Sequence, residues 1–180
     1  VSSIYLATRE TVIRNEELYL KRAVLFAANI EIPDSPAEVE SRFQSRIEPV
    51  QAENAEMVDY YRILDSGGSL TGYVLPVEGP GLWGTISAVV GFEENLNEFT
   101  GVDFTANNET PGLGGRITER WFREQFRGKT GPFTLVPEGT EGEDETEFDA
   151  ITGATITSKS VRNILNNTLE RAPEIVEGEQ

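Results

Sequence analysis

The chain contains no cysteine and no histidine. The first absence excludes disulfides, zinc–cysteine sites, iron–sulfur clusters and thiol nucleophiles. The second removes the commonest general base and the usual haem ligand. Lysine is scarce, with only Lys21, Lys129 and Lys159. Fifteen basic residues face 31 acidic ones, a net charge of −16. Such a surface repels nucleic-acid phosphates, so no nucleic-acid partner is expected. It also disfavours lying flat on anionic lipid. No run approaches the ~18 apolar residues of a membrane span. The opening VSSIYLATRETVIRN has neither a basic n-region nor a long apolar core, so it is not read as a signal peptide. With these side chains missing, any chemistry here calls for an imported cofactor.

What remains suits one domain with a real core: 180 residues, 38% of them hydrophobic, at a mean hydropathy of −0.34. Residues 9–29 read as a helix with an imperfect apolar stripe of Val12, Leu18, Leu20, Val24, Leu25 and Ala28. SPAEVESRFQSRI carries a helix start, with Ser35 as cap, Pro36 in the first turn and Glu38 as capping-box partner, and it should stop before Pro49. YYRILD and SLTGYVLPV flank SGG as a hairpin, and the pair Tyr60–Tyr61 reads as a strand edge. GTISAVVGFEE and EFTGVDFTAN form a second hairpin around NLN. RITERWFREQFRG predicts a short helix stopped by Gly128, with Ile117, Trp121, Phe122 and Phe126 as apolar contacts. PFTLVP is a short strand, and EGTEGEDETEFDA an acidic loop read as solvated, with nothing to fix a metal's ligand geometry. A last helix starts near Ser158 and buries Val161, Ile164, Leu165 and Leu169. The fold class is therefore α+β, antiparallel strands and hairpins flanked by helices.

Three segments are candidates for chemistry. DAITGATITS, residues 149–158, runs into the last helix. Free N–H groups there suit a phosphate, Gly153 permits close approach, and Thr155 presents a hydroxyl. The plainer reading is a loop with a helix cap at Thr157 or Ser158. ETPGLGG, residues 109–115, is either a plain turn or a tight loop that receives a flat ring against Leu113, with backbone amides at its edge. GPGLWG, residues 79–84, places Leu82 and Trp83 among glycines, and a core tryptophan anchoring a loop is one reading of it.

Asp149, Thr152, Gly153, Ala154 and Thr155 match the pattern Asp-x-x-(Ser/Thr)-Gly-Ala-Thr. With ETPGLG upstream of it, the chain resembles the covalent-FMN-binding domain family. That family comprises the C-subunit of the sodium-translocating NADH:quinone reductase and the G-subunit of the Rnf complex. The resemblance covers about residues 12–171, and GPGLWG and WFREQFRGK lean towards the quinone-reductase protein.

The resemblance implies FMN held by a phosphoester to Thr155, attached by a flavin transferase during maturation. Asp149 is expected to serve that transfer. Glu109, Thr110, Leu113 and Gly114 are expected at the isoalloxazine, with Leu82 and Trp83 nearby. It implies a one-electron carrier whose partners are other subunits of a membrane redox complex. A domain on the extracytoplasmic side is expected, behind a trimmed membrane helix, with residues 1–34 as an N-terminal helix and 35–180 as the FMN-binding domain. The rivals are the Rnf protein, a sensor or binding module of the same fold, and a structural subunit that is never modified. The chain departs from the family in having no lysine or arginine between Lys129 and Lys159, which leaves that stretch with no basic contact to offer a flavin.

Overall fold

In the computed structural model, residues 2–52, 57–142 and 144–178 are described, with side chains from residue 12 onward. The element order is α1 (Ser2–Ala27), α2 (Pro36–Arg46), β1 (Ile47–Val50), β2 (Tyr60–Leu64), β3 (Leu70–Pro80), β4 (Thr85–Glu93) and β5 (Phe99–Ala106). A 3₁₀ turn (Gly114–Thr118), α3 (Arg120–Glu124), β6 (Thr134–Val136), β7 (Glu147–Asp149) and α4 (Thr155–Glu177) complete it. Strands β1 to β5 form one antiparallel sheet in sequence order, and β6 pairs with β7 in parallel.

Strand alternation sends each side chain to one of two cores. On β4, Ile86, Ala88, Val90 and Phe92 enter one cluster while Val89 enters the other. The first core is rich in aromatics: Phe99, Phe104, Phe122, Phe126, Phe133 and Phe148 are fully buried, and α4 covers it with Val161, Ile164 and Leu165. The second is aliphatic, closed by Ala23, Val24, Leu25 and Ala27 of α1 and Val39 of α2. The C-terminal end of α1 is fastened to the sheet where Thr100 Oγ1 donates to the Ala27 carbonyl at 2.7 Å. Among the described residues no helix is long and apolar enough to cross a membrane.

Both predicted hairpins are present, and Ser35 caps α2, its hydroxyl accepting from Glu38 N–H at 3.3 Å with Pro36 in the first turn. Several expectations need correcting. The first helix begins at Ser2 rather than 9, and Val12 and Leu20 are exposed. The apolar stripe packs only in its later part, where α1 reaches the sheet. The stretch after α2 continues as β1, an edge strand in which Pro49 is tolerated because the outer side needs no donor. With β1 outside it, β2 is not an edge. Tyr60 and Tyr61 are buried on opposite faces. The segment 116–128 splits into a 3₁₀ turn and a single turn of α3, although Ile117, Phe122 and Phe126 are buried as expected. The acidic loop contains β7, whose Phe148 is fully buried.

Candidate functional site

The three singled-out segments meet at the N-terminus of α4. That helix starts at Thr155, earlier than the expected Ser158. Its N-cap is Ala154, with no side-chain cap hydrogen bond and no acidic residue in the first turn. First-turn N–H groups of a helix lack intrahelical partners, so this end offers unsatisfied donors and positive potential to an anion. Thr155 stands in that first turn with an exposed side chain. Lys159, one turn further along the same face, is also exposed and supplies a basic group that the local motif does not contain.

Neither expected cap residue caps the helix. Ser158 is fully buried one turn inside it, accepting from Ile151 N–H and donating to the Ala154 carbonyl, each at 3.0 Å. It closes the turn before Thr155 from within. Gly153 holds φ = 80° in that turn, a conformation that disfavours side chains, and a methyl there would meet Leu113 Cδ2 at 3.2 Å. The threonine turn and the ETPGLGG loop therefore touch.

Thr157 reaches further. Its buried hydroxyl donates to Glu109 Oε2 at 2.5 Å. Glu109 Oε1 accepts from the backbone N–H groups of Leu82 at 2.8 Å and Trp83 at 3.1 Å. One carboxylate, 6% exposed, thus ties all three segments together. Gly114 is required beside it, because a methyl there would lie 2.5 Å from Thr157 Oγ1 and 2.8 Å from Glu109 Oε2. Gly81 N–H donates to the Gly84 carbonyl at 2.7 Å, which tightens the Leu82–Trp83 turn. With their amides drawn inward to Glu109, both side chains project outward. Trp83 is 65% exposed, which overturns its reading as a core tryptophan. Leu82, Leu113 and Ile156 are exposed as well. Thr110 lies on the surface, its carbonyl accepting from Leu113 and Gly115 N–H.

A second carboxylate works at the rim. Glu138 accepts from Thr152 N–H at 2.6 Å and pairs with both terminal nitrogens of Arg116, at 2.8 and 3.2 Å. The guanidinium first, and then the Thr152 donors, hold its carboxyl at about 2, well below the usual carboxylate range. Arg116 directly follows the ETPGLGG loop, so a basic residue does stand beside the threonine turn, delivered from another segment. Asp149 is buried. Its Oδ2 accepts from Gly139 N–H at 2.5 Å and its Oδ1 from Gly142 N–H at 3.3 Å. Lys129 Nζ fastens the same loop through the carbonyls of Gly142, Asp144 and Glu147, at 3.2, 3.1 and 2.6 Å.

Sequence reasoning named every segment of this site but not Arg116, Glu138, Ser158 as a fastener, or Thr157 as a partner of Glu109. The only local signal for Glu138 is its seat between Pro137 and Gly139, where a turn presents a charge.

A family model described as FMN-binding domain matches residues 81–170, half of the chain. The Na(+)-translocating NADH-quinone reductase C-subunit of Yersinia pestis is 32% identical over 119 residues, covering 62% of this chain and 45% of that protein. The corresponding C-subunit of Neisseria meningitidis serogroup B is 27% identical over 161 residues, covering 79% and 62%. The chain spans about half the length of the curated relatives it matches. Two solved structures share the fold. Shewanella oneidensis NqrC superposes with a TM-score of 0.74 at 23% identity, over 87% of this chain and 91% of its own. The Na(+)-translocating NADH-quinone reductase C-subunit of Parabacteroides distasonis gives 0.73 at 24%, over 93% and 96%.

Proposed function

The chain belongs to the FMN-binding domain family, and from that premise we propose that it carries FMN as a phosphoester on Thr155 and serves as a one-electron carrier within a membrane NADH:quinone reductase. The observation that carries this reading is the uncapped N-terminus of α4, with an exposed hydroxyl at Thr155 and a rim of exposed apolar side chains, Leu82, Trp83, Leu113 and Ile156. The residues present fit the group. The first-turn N–H groups and Lys159 suit a phosphate, and the apolar rim suits one face of a tricyclic ring. No acidic residue belongs to the first turn itself. When bound, FMN supplies the electron transfer itself. The chain's own part is to fix the phosphate at the helix end, to orient the ring through Leu82 and Leu113, and to leave its other face open to a partner in the complex.

Attachment requires a transferase and FAD. The Thr155 oxygen bonds to the flavin-side phosphorus, the pyrophosphate bridge breaks, AMP leaves with the electron pair, and the hydroxyl proton passes to the transferase or to water. The quinone-reductase names of the relatives favour that complex over Rnf. In this reading the domain lies on the extracytoplasmic side, and residues 1–34 lead from a membrane anchor into the flavin-bearing unit of 35–180, whose aliphatic core the C-terminal end of α1 closes. Co-expression with a flavin transferase tests it. In-gel flavin fluorescence and an intact-mass increase are expected for wild type and for Thr157→Val, and neither for Thr155→Val. Labelled Thr155→Val would refute the assignment.

A further inference from the structure

We propose that Glu138, braced by Arg116, is a positioning residue for flavin attachment, presetting the Thr152–Gly153 turn that presents the Thr155 hydroxyl. This rests on the reading of Thr155 as the attachment site. Three observations converge. Glu138 receives the Thr152 N–H at 2.6 Å, and that amide opens the turn in which Gly153 adopts its left-handed conformation. Arg116 fixes the carboxylate by a two-nitrogen fork and so fixes the direction of its remaining acceptor capacity. The loop that delivers Glu138 is itself pinned, by Asp149 through the N–H groups of Gly139 and Gly142 and by Lys129 through three carbonyls.

The arrangement also assigns Asp149 an indirect part. Its carboxylate is buried and its oxygens are taken up by loop amides. It reaches the threonine turn through the 138–142 loop that its oxygens hold. The well-depressed carboxyl of Glu138 agrees, since it stays ionised and able to accept throughout the working range.

The Glu138–Arg116 pair is partly exposed, with side-chain accessibilities of 26% and 24%, so water can replace its bonds and the fold depends little on it. What it governs is the fraction of molecules whose turn is already in the shape a transferase must grip. Only that fraction binds productively, so loosening the turn raises the apparent KM, while saturating transferase draws the remainder into the competent form.

The experiment uses the whole chain, a purified flavin transferase and FAD. Initial labelling rates are taken against acceptor concentration for wild type, Glu138→Ala and Glu138→Gln. Glu138→Ala is expected to raise the acceptor KM about tenfold with kcat within about twofold. Glu138→Gln keeps a carbonyl oxygen for the Thr152 N–H and is expected to fall between the two. In unlabelled protein, hydrogen exchange of the 150–156 segment should quicken in Glu138→Ala while the interior of α4 keeps its protection. Wild-type KM and exchange in Glu138→Ala would overturn the proposal. So would a reduced kcat at unchanged KM, which would place Glu138 among the reacting groups. Failure of wild type to label, or labelling of Thr155→Val, would instead overturn the attachment reading beneath it.

Discussion

Two carboxylates bind the same neighbourhood together, and they do it in opposite surroundings. Glu109 is buried and takes two backbone N–H groups and one hydroxyl, with no cation among those partners. Glu138 lies at the rim and takes one backbone N–H and an arginine fork. Water competes little for the partners of the first and freely for those of the second. The same bonds are therefore structural in one place and adjustable in the other. Glu109 builds the platform from which Leu82, Trp83 and Leu113 project. Glu138 sets the shape of the turn that meets that platform.

The sharpest way to break the contrast is Glu109→Ala. It strands three donors in a buried space, and we predict a loss of ~3 kcal/mol, seen as a melting temperature lower by roughly 10 °C. A drop of only a degree or two would mean that water enters and replaces the carboxylate. Thr157→Val is nearly isosteric and removes one donor, leaving Glu109 Oε2 without this partner. A cost of ~1.5 kcal/mol in denaturant unfolding is expected, with flavin attachment retained. An unchanged midpoint would show that the hydroxyl contributes nothing net.

Leu113→Ala should cost the bare protein less than ~1 kcal/mol, because the side chain is exposed and truncation leaves no enclosed cavity. Once flavin is attached, the same change should blur the vibronic structure of the visible band without releasing the cofactor. An identical spectrum would place the ring elsewhere.

The smallest effect on global stability belongs to Glu138, and it is tied to pH. Its carboxyl is lowered from 4.5 to about 2 in the folded chain. Its stabilisation is thus fully present above 4.5 and disappears as pH falls through about 2. The difference in unfolding midpoint between wild type and Glu138→Gln should be constant above 4.5 and shrink towards zero at the acid end. A difference that persists there would have another origin.

Much of this was legible in the residues. The hairpins follow from alternation and the turn residues of SGG and NLN, α2 from Ser35–Pro36, and the buried face of α4 from Val161, Ile164 and Leu165. The threonine and glycine-rich motifs marked the right segments. What escaped was set by partners distant in sequence. Glu48–Arg62 and their neighbours make β1 a strand only because β2 lies alongside it. Phe148 makes β7 by filling the aromatic core across from Phe122, Phe126 and Phe133. Thr157 meets Glu109 across 48 positions, which no local period encodes. Trp83 looked like a core residue by type, and it points outward because its amide, rather than its ring, is what the fold holds.

That outward ring has a spectroscopic consequence. The chain has two tryptophans, Trp83 and Trp121. Trp83 is bound through its amide to Glu109, and Trp121 lies under the Arg116 guanidinium, 5.2 Å from its ring centre, with its indole N–H on Glu119. Indole emission overlaps flavin absorption, so a flavin carried on Thr155, as proposed, would drain the excited state of both. With no tryptophan elsewhere to add background, ultraviolet fluorescence would then gauge flavin loading directly, readable in a cuvette without any added label.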